Sequence, residues 1–176
     1  MVDDGKIRPM IKFIKKTGLK QLVGAEVGVW YGDNALSILE NLDIACLTLV
    51  DPYKRHKIYN GRLFRQKKMD MIIKLCKEKL VDYKKQYVLF RMPSVKGARM
   101  IADGSLDFVY IDGQHMYKHI RKDIKAWYPK VREGGFIGGH DYNSATEGVI
   151  RAVNELRDKT QKKLYTSALD WWIVKP

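Results

Sequence analysis

The sequence predicts an α/β protein built on a doubly wound, mostly parallel sheet, and three observations lead there. Short β-rich runs alternate with longer segments whose apolar residues recur three and four apart, the mark of successive βα units. The first of these runs passes into a glycine-bearing turn, AEVGVWYGDN at 25–34, where a strand hands over to a helix. The last two, KLYTSA and WWIVKP, are separated only by Leu169 and Asp170, a link so short that it implies an antiparallel hairpin.

Taken in order, Ile7, Met10, Ile11 and Ile14 mark an opening amphipathic helix within residues 1–20 that stops near Gly18. Strands are expected at 23–29, 46–51, 86–91, 106–112 and 134–139. Between them run helical stripes: Met69, Ile72, Ile73, Cys76 and Leu80 within 62–80, and Tyr117, Ile120, Ile124, Trp127 and Val131 within 117–131. A last helix at 146–158 turns Val149, Ile150, Val153 and Leu156 inward. Such stripes are packing surfaces and carry no chemistry. The 176 residues read as one domain, with no repeat or linker. The irregular stretch DPYKRHKIYNG, 51–61, follows the second strand, at what is the ligand-binding edge of such a sheet.

Composition narrows the classes. With 45% hydrophobic and 30% charged residues the chain is neither disordered nor membrane-embedded, since no apolar run reaches the ~20 residues a span needs. The opening MVDDGKIRPM has acids where a signal peptide has bases, so a cytoplasmic location is expected. Cys46 and Cys76 are far apart and read as small buried thiols, which leaves no disulfide framework and no zinc motif. A net charge of +13 favours an anionic partner such as nucleic acid, a phosphorylated metabolite or an acidic glycan, although lysines spread along a whole chain equally describe a solvated surface.

A turn of this kind presents backbone N–H groups and a helix N-terminus to a nucleotide-like ligand. For a dinucleotide the second glycine of G-x-G-x-x-G lets the backbone approach the pyrophosphate, and here Trp30 stands at that place. A nicotinamide enzyme is therefore disfavoured. What remains is Glu26, Gly28 and Gly32, and a carboxylate in the first strand suits a ligand carrying an ammonium group. Asp51 ends the second strand, where an acid can accept from both ribose hydroxyls. Asp112 ends the fourth. This combined pattern, from about residue 22 onward, resembles the class I S-adenosylmethionine-dependent methyltransferases.

The resemblance implies a Rossmann-like sheet of seven strands in order 3-2-1-4-5-7-6, strand 7 antiparallel, with the cofactor across the carboxyl ends of the first three. It implies that Glu26, Gly28 and Gly32 surround the methionine part, Asp51 the ribose, and Pro93 and Ser94 the adenine, with Asp112 also on the cofactor. Trp30 and Tyr53 line the pocket or pack beside it. Ser94 is equally placed to be the N-cap of the helix VKGARMIA.

Two further stretches, YIDGQHMYKHI from 110 and GGFIGGHDY from 134, end strands at the same edge. If those strands are neighbours their ends lie about 4.8 Å apart, which brings Asp112, His115, His140 and Asp141 within reach of one another. The phrases I-D-G-x-H and G-G-H-D-Y are similar to a methyltransferase subfamily near the catechol and sugar or macrolide O-methyltransferases. In the metal-dependent members an aspartate after strand four and a pair after strand five hold a divalent ion. The resemblance thus implies Asp112, His140 and Asp141 as ligands. An imidazole at 140 departs from the usual oxygen pair, which suits magnesium, and favours manganese, iron or zinc. Such an ion would lower the pKa of a substrate hydroxyl. A metal-free chemistry stands beside it, with His115 or His140 as general base and Asp112 or Asp141 orienting the ring. A structural reading has Asp112 capping the next helix and His140 bonding a loop. His119 reads as a helix-surface residue, and His56 belongs to the loop.

The expected function is methyl transfer to a hydroxyl of a small-molecule or sugar acceptor. Acceptor choice falls to the opening helix, loop 52–62 and YNSATEG at 142–148. In the loop Lys54, Arg55, Lys57 and Arg62 interleave with Tyr53 and Tyr59, which suits an acidic or aromatic acceptor; a second subunit can supply a lid, so a homodimer is expected. Two other classes stay open. A nucleic-acid methyltransferase or binding module is favoured by the charge and by Arg62, Arg65, Lys67 and Lys68, but an N-P-P-Y-type motif is missing. The other is a cofactor-binding protein without turnover.

Overall fold

The computed structural model describes residues 7–57 and 63–176. Seven strands make one sheet: β1 (Leu22–Val27), β2 (Ile44–Val50), β3 (Tyr87–Phe90), β4 (Leu106–Ile111), β5 (Val131–Gly139), β6 (Leu164–Ser167) and β7 (Asp170–Val174). A separate two-residue ribbon, His56–Lys57 with Leu63–Phe64, takes no part in that numbering. The order is 3-2-1-4-5-7-6, as expected. Neighbours are parallel from β3 through β5, and β7 runs antiparallel to both β5 and β6.

Side chains alternate across the sheet and so feed two cores. Leu49, Phe108, Tyr110, Phe136 and Trp172 point to one face, beneath α1 (Pro9–Lys16), α2 (Asp33–Asn41) and α3 (Gln66–Lys79). Their sequence neighbours Val50, Val109, Ile111, Ile137 and Trp171 point to the other, beneath α4 (Ser94–Ala98), α5 (Tyr117–Trp127) and α6 (Glu147–Thr160). Because both faces are covered, the central strands are apolar almost without interruption.

Several expectations need correction. Pro129 has no N–H to donate, so α5 ends at Trp127, a 3₁₀ turn follows over Tyr128–Lys130, and Val131 opens β5 opposite Leu106 instead of closing a helix. Asp170 is the first residue of β7, not part of the link, and is 1% exposed. Its Oδ1 accepts from the Tyr110 hydroxyl at 2.7 Å and its Oδ2 from Met10 N at 3.0 Å. That second bond replaces a cap for α1, whose Arg8 N-cap offers no side-chain acceptor and whose Pro9 sets the first turn. Cys46 is half-buried, whereas Cys76 is buried. Tyr59 and Arg62, and the side chains of His56 and Lys57, lie outside the described residues. Among the described residues no helix is long and apolar enough to cross a membrane.

Candidate active site

Hydrogen bonding continues one residue past each central strand, which levels their carboxyl ends. Gly28 N donates to Val50 O at 2.9 Å, Asp51 N to Phe90 O at 3.2 Å, Asp112 N to Val27 O at 2.7 Å and His140 N to Ile111 O at 3.1 Å. A cavity of about 950 Å³ opens along this edge, the size of a small-molecule site. Its walls include Glu26, Gly28, Trp30 and Asp51 on one side and Pro93, Ser94, Asp112 and His115 on the other.

The turn after β1 is shaped by two constraints. Gly28 has φ +87°, and a Cβ there would lie 2.2 Å from the Asp112 carbonyl oxygen. Trp30 then sits at φ +52°, a left-handed conformation that costs an L residue about 1–2 kcal/mol. Asp51 braces it. Its Oδ2 accepts from Val29 N at 3.1 Å and Trp30 N at 3.2 Å, and its Oδ1 from Tyr53 N at 2.7 Å. The Tyr53 hydroxyl closes the loop by donating to Trp30 O at 2.9 Å. Tyr53 is therefore buried packing, while the indole of Trp30 stands at the rim, edge-on to Tyr31 and Phe64. Gly32 opens α2 and abuts Cys76 without facing the cavity.

Glu26 is 1% exposed. Its Oε1 accepts from Asn34 Nδ2 at 2.9 Å, but its Oε2 and Asn34 Oδ1 are buried without a hydrogen-bond partner. Burial, with the charges of Asp112 and Asp51 adding to it, pushes the Glu26 carboxyl from 4.5 up to about 8, against the Asn34 hydrogen bond and Arg8, which pull it down. Unpaired buried acceptors are expensive, and these two belong to residues that both line the cavity. On the opposite wall Ser94 is the first residue of α4 while Pro93 is its N-cap, so the capping alternative for Ser94 is not met. Its Oγ instead accepts from Trp127 Nε1 at 2.9 Å.

Asp112, His115 and Asp141 form the second group. His115 Nε2 lies 2.8 Å from Asp141 Oδ2 and 3.8 Å from Asp112 Oδ1, and one ligand atom from each residue falls within 4.8 Å of the others. His140 is not part of this group: its Nδ1 is 3.3 Å from Asp141 Oδ1. The edge thus gathers all four residues picked out from sequence, but the imidazole between the two carboxylates is His115. Asp112 does not cap α5, whose N-cap is Met116. The carboxylates of Asp112 and Asp141, facing its Nε2, raise the His115 imidazole from 6.5 to about 9. Burial works against Asp141, yet its bonds to His115 and His140 hold its carboxyl well below the usual range. Asp141 is at φ +61°, its carbonyl accepting from the Thr146 hydroxyl. Beyond His115 a second hollow of about 550 Å³ runs along Met116, Tyr117 and 145–148.

The sequence profile described as a methyltransferase domain matches residues 25–142, which run from β1 through the cluster at Asp141. The chain belongs to this methyltransferase family. A sequence search of curated proteins finds no match. Among solved structures, the methyltransferase resembles the calicheamicin methyltransferase CalS11 at a TM-score of 0.69 and 12% identity, over 96% of this chain and 80% of that one. It resembles the O-methyltransferase NovP at 0.62 and 18%, over 94% and 79%. It also resembles MycE, the methyltransferase of the mycinamycin biosynthetic pathway solved with Mg and SAH, at 0.61 and 15%, over 93% and 48%. At such identities the likeness is one of fold.

Two residues that line the cavity were not marked by the sequence pattern. Asn34 lies in the first turn of α2, where only the fold reveals that it reaches back to Glu26. Arg8 precedes α1 and lines the cavity, its guanidinium 3.6 Å from Asp112 Oδ2 and 3.9 Å from Asp170 Oδ1. The only signal was Pro9, which marks Arg8 as an N-cap without saying what it faces. The glycine turn yields a direct prediction. Gly28→Ala combines a left-handed φ with a clash against backbone, so it is expected to destabilise the fold by about 2–5 kcal/mol, read as a lowered midpoint in urea unfolding.

Proposed function

We propose that this methyltransferase uses S-adenosylmethionine to methylate a hydroxyl on a small-molecule or sugar acceptor, assisted by a divalent ion at Asp112, His115 and Asp141. One observation carries the reading: Glu26, whose buried Oε2 has no partner, is among the residues lining the same cavity as Asp112 and His115. S-adenosylmethionine, when bound, supplies a sulfonium-activated methyl group and the ammonium that such an acceptor lacks. Glu26 receives that ammonium, and Asp51, already holding the turn with three accepted bonds, has one lone pair left, on Oδ1, for a ribose hydroxyl. Pro93 and Ser94 border the base. The Mg and SAH bound to MycE, and the O-methyltransferase NovP, support the cofactor and the oxygen acceptor in a chain of this fold.

The cluster favours the ion over a free base. His115 Nε2 is turned to Asp141 at 2.8 Å, so the ring is held within the cluster instead of being aimed at a substrate proton. That nitrogen sits between two carboxylates, where a cation belongs. A divalent ion held by Asp112, His115 and Asp141 would lower the pKa of the acceptor hydroxyl. His140, bonded to Asp141, fixes that carboxylate's orientation. Two oxygens and one imidazole suit manganese, iron or zinc as well as magnesium. The test is methyl transfer from labelled S-adenosylmethionine to a panel of catechols, phenols and sugars. Turnover that is abolished by EDTA and restored by Mn²⁺ is expected; turnover indifferent to chelation contradicts the metal role.

A further inference from the structure

Arg8 lines the cavity from a position that the sequence pattern did not mark. Its side chain is 21% exposed, and its contacts with Asp112 at 3.6 Å and Asp170 at 3.9 Å are ion pairs too long to be hydrogen bonds. The guanidinium stands 5.9 Å from the centre of the Tyr110 ring, and among the described residues none of its five N–H donors has an acceptor. Asp170 does not need it, since its oxygens already accept from Met10 N and the Tyr110 hydroxyl. A largely buried cation is thus held on the cavity wall with its donors unused. Glu26 presents the mirror case, a buried carboxyl with one unpaired oxygen on a residue that lines the same cavity. The two are near enough to influence each other's charge, yet they do not form an ion pair. An ammonium beside a carboxylate would satisfy both.

We propose that Arg8 receives the carboxylate of the cofactor's methionine part while Glu26 receives its ammonium, so that the two residues clamp an α-amino acid zwitterion. This rests on the S-adenosylmethionine reading above. Asp112, close by, would repel a ligand carboxylate, and Arg8 offsets that charge. Because Asp170 accepts from Met10 N, the docking of α1 on β7 sets where Arg8 stands. The clamp is completed by a segment more than a dozen residues upstream of the glycine turn.

The experiment is calorimetry on the full chain with two ligands, S-adenosylhomocysteine and its decarboxylated analogue, in which an aminopropyl group replaces the aminocarboxypropyl group. The wild type is expected to prefer S-adenosylhomocysteine by about 10- to 100-fold, the range of a charge-assisted pair. Arg8→Gln is expected to erase that preference while leaving the affinity for the analogue within about 3-fold, and Arg8→Lys to restore part of it. Equal weakening toward both ligands, or a preference that survives in Arg8→Gln, assigns Arg8 a structural role and overturns the clamp. If thermal unfolding shows that Arg8→Gln does not fold, the wild type decides alone, since a wild type without preference also overturns it. A wild type that binds neither nucleoside sinks the cofactor reading itself, which separates the two failures.

Discussion

Glu26→Gln is expected to weaken S-adenosylhomocysteine binding by about 10- to 100-fold, because a neutral amide replaces the charge that faces the ligand ammonium. The same change should not harm the ligand-free fold. Glu26 is buried with one oxygen unpaired, and its neighbours are Asn34, Asp112, Asp51 and Arg8. In the unfolded chain its carboxyl ionises near 4.5, but in the fold only near 8. Below pH 4.5 both states hold the proton. As the pH rises to 8 the unfolded chain releases it and the folded chain does not, so this group's contribution to stability declines over that window and levels off above it. Thermal unfolding of the ligand-free protein at pH 5, 6.5 and 8 should therefore show a falling midpoint that is flatter in Glu26→Gln. Saturating S-adenosylhomocysteine should raise the wild-type midpoint most, since an ammonium at Glu26 removes the penalty of ionisation. A variant that binds as tightly as the wild type removes Glu26 from the site.

Asp112→Ala is expected to lower methyl transfer by about 1,000-fold or more, the loss that follows when several kcal/mol of Lewis-acid assistance disappear. Its effect on S-adenosylhomocysteine affinity should stay within about tenfold, because the cofactor keeps Glu26, Asp51 and the glycine turn. His115→Ala and Asp141→Asn should fall with it. His140→Ala, which removes a contact with Asp141 alone among these residues, should cost about tenfold or less. Steady-state rates together with Mn²⁺ titrations distinguish this order from its rival. If His140→Ala is the damaging change and His115→Ala is mild, the imidazoles have been assigned in the wrong order.

That order is also where the sequence stopped being legible. Strand ends could be found because alternation and glycine turns are local signals, and parallel pairing then forces Glu26, Asp51, Asp112 and Asp141 onto one edge. Which imidazole stands between the two carboxylates was beyond it, since that depends on how the loop after β4 folds back, and loop conformation has no periodicity. Arg8 was invisible for a different reason: the acid that fixes its helix, Asp170, lies 160 residues from Met10 along the chain. Val131 was misplaced because its apolar character fits a helical stripe and a buried strand equally well. Only Pro129, two residues earlier, marked the break. Gly32 kept the expected turn geometry, and a Cβ there would meet Cys76 of α3.

Crystals grown with S-adenosylhomocysteine and Mn²⁺ probe the account most directly. The nucleoside is predicted to lie along the carboxyl ends of β1, β2 and β4 with its amino group on Glu26, and an ion to be bound by Asp112, His115 and Asp141. A nucleoside found elsewhere, or an ion coordinated by His140 while His115 stands aside, would contradict it.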